Sequence, residues 1–361
     1  MIKSVFGTEE LWSVLKESSS PILLYGTGDG ADKILSVMER KGIKASGFFA
    51  SDGFVRDRYF HDSHVMSFSE AEEKYGDFTV LVAFGSSRPE VIENVKHIAS
   101  RHRLFIPDVP VCGENLFDAD FYLSNLDRID KARKLLCDGR SVDVYDDIIK
   151  FKLSGKPEYL YFSECPEEET FSLLSGGYSA YVDLGAYIGD TVKKALSLCP
   201  SIKKVCAFEP ANKPFEKLSQ YCASVPCVDF TLVKACAWDK TESLEISDGG
   251  GRGSHISSSA SLSGAKTKTV VCASPDDACN FYGEKLLIKY DVEGAEEKAL
   301  CGSASLIKNN DTELAVSLYH RSEDIFSLIL LAHKLMPERK LCLRRLSGFP
   351  AWDINLFVSK K

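Results

Sequence analysis

Short apolar runs bounded by glycine, proline and acids alternate along this chain with longer stretches whose apolar positions recur every three to four residues. Pro21–Tyr25, Ile43–Ala50, Thr79–Phe84 and Arg103–Ile106 read as strands. Helices are predicted from the glycines at 26–30 to about Arg40, at Ser69–Tyr75 and at Pro89–Ser100. Strands alternating with helices imply a parallel sheet covered on both faces. From Leu116 to Gly155 the pattern turns helical, with Leu123, Leu126, Ile129, Leu135 and Leu136 at helical spacing and a break at Gly139–Asp143. A second series of strands then begins: Tyr181–Leu184, Lys204–Phe208, Asp229–Ala237, Leu286–Asp291, Glu313–Tyr319, Leu341–Leu346 and Asn355–Ser359. Helices are expected between them at Asp190–Leu198, Lys213–Ala223, Ala295–Lys308 and Glu323–Leu335. Only Ser347–Ala351 separates the last two strands, which predicts an antiparallel hairpin.

The fold expected is therefore α/β: a first Rossmann-like unit over 1–115, a helical connector over 116–180 packing on the second unit, and a second Rossmann-like unit over 181–361. A length of 361 residues suits two such units better than one. The segment Ser247–Gly264, rich in glycine and serine, has too few large apolar groups to pack. Lying between two strand-like stretches, it reads as a lid beside a site, with a plain linker as the alternative.

Composition narrows the partners. A net charge of −8 argues against nucleic acid as the main partner, since such binders carry basic patches. The first ten residues hold no apolar run, so no secretory signal is expected there, and no stretch is long and apolar enough to suggest a membrane partner. The twelve cysteines are scattered through apolar patterns, as in Val205-Cys206-Ala207 and Leu341-Cys342-Leu343. Without Cys-x-x-Cys pairs or a Cys/His cluster, they read as buried free thiols of a cytoplasmic protein, and no metal is expected.

The candidate chemistry lies at strand ends of the second series. Asp183-Leu-Gly185-Ala186-Tyr187-Ile-Gly189-Asp190-Thr191 ends a strand and opens a helix, where glycines admit a ligand close to the backbone and the helix offers free N–H groups. In a dinucleotide site these would face a pyrophosphate. Here the spacing is Gly-x-x-x-Gly, and the acid ending the strand would repel a pyrophosphate but suits the ammonium end of S-adenosylmethionine. Phe208-Glu209-Pro210 ends the next strand, where a carboxylate can accept hydrogen bonds from both hydroxyls of a ribose. Ala235-Cys-Ala237-Trp238-Asp239 ends the third, where an aromatic and an acid border an adenine, or the tryptophan simply fills core. Lys289-Tyr-Asp291-Val-Glu293-Gly-Ala-Glu296 ends the middle strand at the expected topological switch point, although Glu293 and Glu296 also suit the first turn of a helix. His320, ending the next strand, faces the same edge.

Taken together, Asp183–Thr191, Phe208-Glu209-Pro210, Ile288–Glu296, Gly302 and Tyr319-His320 resemble the FkbM-type family of S-adenosylmethionine-dependent methyltransferases over roughly residues 141–361. Tyr290 stands where that family commonly has an aliphatic residue. The resemblance implies a class I methyltransferase fold, a seven-stranded sheet ending in an antiparallel hairpin. It implies O-methylation of a small hydroxylated acceptor such as a sugar or nucleotide-sugar. Cofactor contacts are then expected at Asp183, Gly185, Ala186, Tyr187, Gly189, Asp190, Thr191, Glu209, Pro210, Ala237, Trp238 and Asp291, and catalytic roles at Asp291, Glu293 and His320. The reaction expected is in-line attack of a hydroxyl on the sulfonium methyl, with Asp291 or His320 as base and Glu293 assisting. Arg252, His255, Lys289 and Arg321 could meet an anionic acceptor, solvation being the default for each.

Gly26-Thr-Gly28-Asp-Gly30-Ala31, with Asp52 some twenty residues on, fits a dinucleotide fingerprint. Two alternatives therefore stand beside the methyltransferase: an NAD-dependent oxidoreductase working through the first unit, and a non-catalytic nucleotide-binding assembly protein. The chain has no Tyr-x-x-x-Lys pair, which weakens the first of these. Assembly as a homodimer is left open.

Overall fold

The computed structural model describes residues 2–54, 59–247 and 267–360. The segment read as a lid therefore lies, apart from Ser247, outside the described residues, as do Arg252 and His255. A small ladder of β1 (Ser4–Val5) and β2 (Thr8–Glu9) leads into α1 (Leu11–Lys16). The first large sheet is built from β3 (Ile22–Tyr25), β4 (Gly47–Ala50), β5 (Tyr59–Phe60), β6 (Ser63–Ser67), β7 (Thr79–Val82) and β8 (Arg103–Phe105). Its order is β5-β6-β4-β3-β7-β8, parallel except for β5. α2 (Asp29–Lys41), α3 (Phe68–Tyr75) and α4 (Pro89–Ala99) complete this unit. All four residues of β3 and of β7 are buried, which is why these strands read as unbroken apolar runs rather than as alternation.

The connector folds into α5 (Ala119–Ser124), α6 (Leu126–Lys134), α7 (Gly139–Ser154), α8 (Pro157–Ser163) and α9 (Glu167–Ser172). Asp138 caps α7 by accepting from the Ser141 amide, and Gly155 ends it in the left-handed conformation. One continuous apolar cluster runs from Leu23 and Val80 of the first sheet, through Tyr145 and Ile149 of α7, to Leu314 and Leu343 further along the chain.

The second large sheet contains β9 (Ala180–Leu184), β10 (Lys204–Phe208), β11 (Asp229–Val233), β15 (Lys285–Tyr290), β16 (Asp311–Ser317), β17 (Lys340–Arg345) and β18 (Ile354–Ser359). The intervening β12 (Cys236–Ala237), β13 (Glu242–Ser247) and β14 (Thr267–Ala273) form a separate three-stranded sheet. The seven-stranded order is β11-β10-β9-β15-β16-β18-β17, with β18 antiparallel to both neighbours, as the short final connection requires. The sheet reverses direction of growth between β9 and β15, so a crevice opens there at the strand ends. α10 (Asp190–Leu198), α11 (Asn212–Ala223), α12 (Pro275–Ala278), α13 (Glu296–Cys301), α14 (Ala304–Asn309) and α15 (Asp324–Leu335) flank it.

Three expectations need correcting. The strand expected over Asp229–Ala237 is two: β11 stays in the large sheet, while β12 leaves it to pair with β14. The helix expected over Ala295–Lys308 breaks at Gly302, where a Cβ would lie 2.0 Å from the Trp238 carbonyl oxygen, so backbone contact rather than helix continuity sets this position. The cysteines are not all free: Cys137 and Cys342, 205 positions apart, form a disulfide, and ten others carry free thiols. That bond pins the connector to β17, whose edge also pairs with Leu136 and Glu164 and is thus closed to other strands.

The turn between β17 and β18 reaches across to the first sheet. Ser86 and Phe349 exchange backbone hydrogen bonds, and the Trp352 ring lies where a Cβ on Gly85 would be, 2.4 Å away. Gly26 packs against the Phe84 ring in the same crevice. Asp29 and Asp32 already stand in the first turn of α2, which suits its positive end but opposes a pyrophosphate there. Asp52, which a dinucleotide reading gives to a ribose, instead accepts from the Ser69 amide and hydroxyl at 3.0 and 2.8 Å. Packing thus accounts for Gly26, Gly85 and Asp52.

Candidate active site

The turn after β9 is positioned by its glycines. Gly185 has φ of +92°, and a Cβ on it would fall 1.9 Å from the carbonyl oxygen of Asp291. The amides of Gly185 and Ala186 both donate to the Phe208 carbonyl, and Asp291 donates to Leu184, so the ends of β9, β10 and β15 are held in one plane. Gly189, at φ +88°, caps α10. Tyr187 and Glu293 are left-handed without being glycine, at φ +46° and +52°. Such strain persists only where surroundings enforce it, and both residues line the same cavity.

That cavity holds about 560 Å³ above the β9–β15 switch point. The turn contributes Gly185, Tyr187, Asp190 and Thr191; β10 contributes Phe208, Glu209 and Pro210; the start of the small sheet contributes Ala237 and Trp238. Opposite stand Lys289, Asp291, Glu293 and Arg321. The residues expected from sequence therefore converge, with four exceptions. Asp183 lies beneath the wall, fully buried, accepting from the Thr191 hydroxyl at 2.5 Å and lying 3.6 Å from Lys289 Nζ. Its other oxygen, Oδ1, has no hydrogen-bond partner among the described residues. Ala186 and Gly189 support the turn without lining the cavity, and His320 sits behind it. Asp239 also turns away, pairing with Lys298 at 2.7 Å, whereas Trp238 stays at the wall.

Glu209 is held by the Ala211 amide at 2.7 Å, and its pKa is raised above the ordinary carboxylate value by burial. The catalytic edge is a tighter network. Asp291 accepts from the Tyr319 hydroxyl at 3.0 Å, and Lys289 Nζ lies 3.3 Å from its other oxygen. Burial works against the Asp291 charge, but Lys289 and His320 prevail and hold its pKa below the usual range. Lys289, between Asp183 and Asp291, is pushed above its ordinary value by the two carboxylates despite burial. Glu293 is raised, by burial first and then by Asp291 and Glu296 against the attraction of His320.

His320 has no exposed surface. Its Nδ1 lies 2.8 Å from Glu296 Oε1, and that oxygen also accepts from the Val292 amide. Burial disfavours its charge, yet Glu296, Asp291 and Glu293 push its pKa up to about 9. A base at neutral pH was expected of Asp291 or His320. With three acids around it, the charged form of the His320 imidazole is favoured despite burial.

Sequence reasoning missed the segment around Cys112, whose amide donates to the His320 carbonyl and whose thiol donates to the Glu293 carbonyl. Gly294 permits this approach, since a Cβ there would meet Cys112 at 2.9 Å. No local motif marks residues 111–113, because their contacts form only when the chain leaving the first sheet crosses the second. Glu296 was read as a first-turn acid; it is that, and its Oε1 also lies 2.8 Å from His320 Nδ1.

Residues 183–339 match the model of the methyltransferase FkbM domain. The structure of methyltransferase FkbM from Methylobacillus flagellatus KT is similar in fold, with a TM-score of 0.67 and 18% identity over 94% of this chain and 90% of that one. A Streptococcus mutans structure in complex with SAH matches 54% of this chain and 97% of its own, at 10% identity and a TM-score of 0.36. A SAM dependent methyltransferase from Aquifex aeolicus matches 64% of this chain and 97% of its own, at 10% identity and a TM-score of 0.31. No curated protein matches the chain.

Proposed function

Starting from a chain that carries an FkbM methyltransferase domain over residues 183–339 and is thus a methyltransferase, we propose that it transfers the methyl group of S-adenosylmethionine to a hydroxyl of a small, sugar-like acceptor. The observation that carries this reading is the single cavity at the β9–β15 switch, onto which the Gly185 turn, Glu209 and the Asp291–Glu293 acids all open.

In this reading the adenosine lies across the end of β10, its ribose hydroxyls on Glu209 and its adenine beside Ala237 and Trp238. The carboxylate keeps acceptor capacity after taking the Ala211 amide. Asp190 and Thr191 stand at the amino-acid end of the donor, with Tyr187 over it. The methyl then points toward Asp291 and Glu293. A lone pair on the acceptor oxygen forms the new O–CH₃ bond while the C–S bond breaks and its electron pair stays on sulfur. The hydroxyl proton leaves toward the Asp291–Glu293 carboxylates. Lys289 and Arg321 border the acceptor side and suit an acceptor carrying negative charge.

The test is thermal melting of the purified chain with S-adenosylmethionine, S-adenosylhomocysteine, NAD or NADP, followed by label transfer from methyl-tritiated donor to pooled hydroxylated acceptors. A ligand at about 100 times its Kd stabilises by about 2.7 kcal/mol, so the true cofactor stands out. Glu209→Gln should weaken donor binding about tenfold or more, the loss of a charged hydrogen-bond acceptor. Stabilisation by NAD and none by the methyl donor would reject the proposal.

A further inference from the structure

The cavity wall carries two cations, and only one of them is already matched. Lys289 Nζ lies 3.6 Å from Asp183 Oδ1 and 3.3 Å from Asp291 Oδ2, so two carboxylates answer its charge. Arg321, half-buried in the same wall, has no carboxylate beside its guanidinium among the described residues. Its Nε donates to the Gly294 carbonyl at 2.8 Å, and its amide donates to Asp324 Oδ2 at 2.8 Å. The side chain is thus anchored, while Nη1 and Nη2 make no hydrogen bond among the described residues. A guanidinium stays charged at any physiological pH, and an unmatched one in a half-buried wall favours an anion.

Glycines frame this guanidinium. A Cβ on Gly294, at φ +92°, would stand 3.3 Å from Nε, and one on Gly113, at φ +82°, would stand 3.2 Å from Nη1. Larger residues at either position would crowd the fork, and Gly113 itself is exposed. The Gly113 side of the slot comes from the chain leaving the first sheet. Lys33 of α2 donates to the Val111 carbonyl at 3.1 Å, and Cys112 bonds through its amide and thiol to the carbonyls of His320 and Glu293. The first unit therefore fixes one wall of a slot whose cation belongs to the second.

Place in the sheet separates this slot from the donor. The glycine turn follows β9 and Glu209 follows β10, whereas Arg321 follows β16, on the far side of Asp291 in the order β10-β9-β15-β16. Asp291 and Glu293 repel an anionic group while Arg321 attracts it. A molecule with an oxyanion at one end and a hydroxyl at the other is thereby turned one way round.

We propose that Arg321 recognises an oxyanion of the acceptor, a phosphate or a carboxylate, seated between Gly113 and Gly294 with the hydroxyl turned toward Asp291 and Glu293. The donor fork of a guanidinium matches the paired oxygens of either group. The inference rests on the methyl-transfer reading for the fate of the hydroxyl, and it makes the substrate class anionic hydroxylated molecules rather than neutral sugars.

Calorimetric titration of the full-length chain with inorganic phosphate, acetate and glucose, at constant ionic strength and with or without S-adenosylhomocysteine, tests the slot. One phosphate or acetate per chain is expected, the tighter of the two naming the acceptor's group, with glucose the weakest ligand. Arg321→Gln should weaken anion binding about 10–100-fold, the loss of charge-assisted hydrogen bonds, and Arg321→Lys should restore part of it. Gly113→Asp changes an exposed position and sets a carboxylate beside the guanidinium, so it should weaken the anion as Arg321→Gln does. Circular dichroism reports which variants are folded. No anion bound, or binding unchanged in the folded variants, overturns the proposal. So does S-adenosylhomocysteine affinity that falls in step with the anion's, which would give Arg321 to the donor's carboxylate. Donor binding without an Arg321-dependent anion refutes the slot alone. An Arg321-dependent anion without donor binding or methyl transfer refutes the function alone.

Discussion

Replacing Gly185 with alanine asks whether the end of β15 and the turn after β9 touch as closely as described. Two costs add at this position. The backbone is left-handed, φ +92°, which costs an L-residue about 1–2 kcal/mol. The new methyl would also lie 1.9 Å from the Asp291 carbonyl oxygen. That atom belongs to backbone tied to Leu184 and cannot rotate aside, so overpacking adds about 1–3 kcal/mol. The sum, about 2–5 kcal/mol, lowers the melting temperature by about 4–20 °C at roughly 2–4 °C per kcal/mol. Gly177→Ala is the matched control: its φ is +65°, but the nearest atom is Lys285 Nζ at 3.9 Å. It carries only the left-handed cost, so its melting point should fall by about 2–8 °C. The assay is paired thermal melts by circular dichroism, with donor titration of each variant. Gly185→Ala should also lose donor binding, since relief of the clash separates Asp291 from the turn. If it melts with Gly177→Ala and binds donor within threefold of wild type, the close approach is wrong.

Three further outcomes can be measured. Burial alone would raise the pKa of Glu313, but the Ser175 hydroxyl and amide, the Tyr178 hydroxyl and the Lys360 amide lower it below 4.5. Its contribution is therefore full above the unfolded pKa and is lost as pH falls through the folded one. Glu313→Gln should cost about 1–3 kcal/mol at neutral pH and flatten the acid limb of stability in urea titrations; an unchanged limb would contradict this. Lys152 Nζ and Asp108 form a buried pair at 2.9 Å linking α7 to the segment after β8, so Lys152→Met should destabilise by about 3–5 kcal/mol in urea, and a loss under 1 kcal/mol would show the pair is solvated. Alkylation before and after reduction should find ten and then twelve reactive cysteines in unfolded protein, and Cys137→Ser should cost about 2–4 kcal/mol; twelve without reduction would remove the disulfide.

The second sheet was legible because its strands carry short apolar runs, several of them ending at glycines and acids, and because a five-residue link between the last two strands admits only a hairpin. The cavity-lining residues were legible for the same reason: strand ends at a switch point share one crevice. What escaped was long-range. The β5–β6 ladder is too short to show a period. The helix break at Gly302 depends on the Trp238 carbonyl, and the Cys137–Cys342 bond joins residues that no spacing rule connects. The glycine fingerprint at 26–30 is ambiguous in sequence because glycine serves close packing as readily as ligand approach, and here Phe84 packs against the turn while Trp352 covers the neighbouring Gly85.

The seat of Phe349 and Trp352 on the first sheet also sets a timetable for synthesis. Phe84 and Gly85 leave the ribosome early, whereas the turn that covers them follows β8 by about 240 residues. At about 5–20 residues per second, the first sheet waits on the order of tens of seconds with that crevice bare. Its strands can pair meanwhile, but its apolar mouth is a place for chaperones to hold and for neighbouring nascent chains to adhere. Interrupting translation within the second sheet should therefore leave a first unit that is ordered yet sticky.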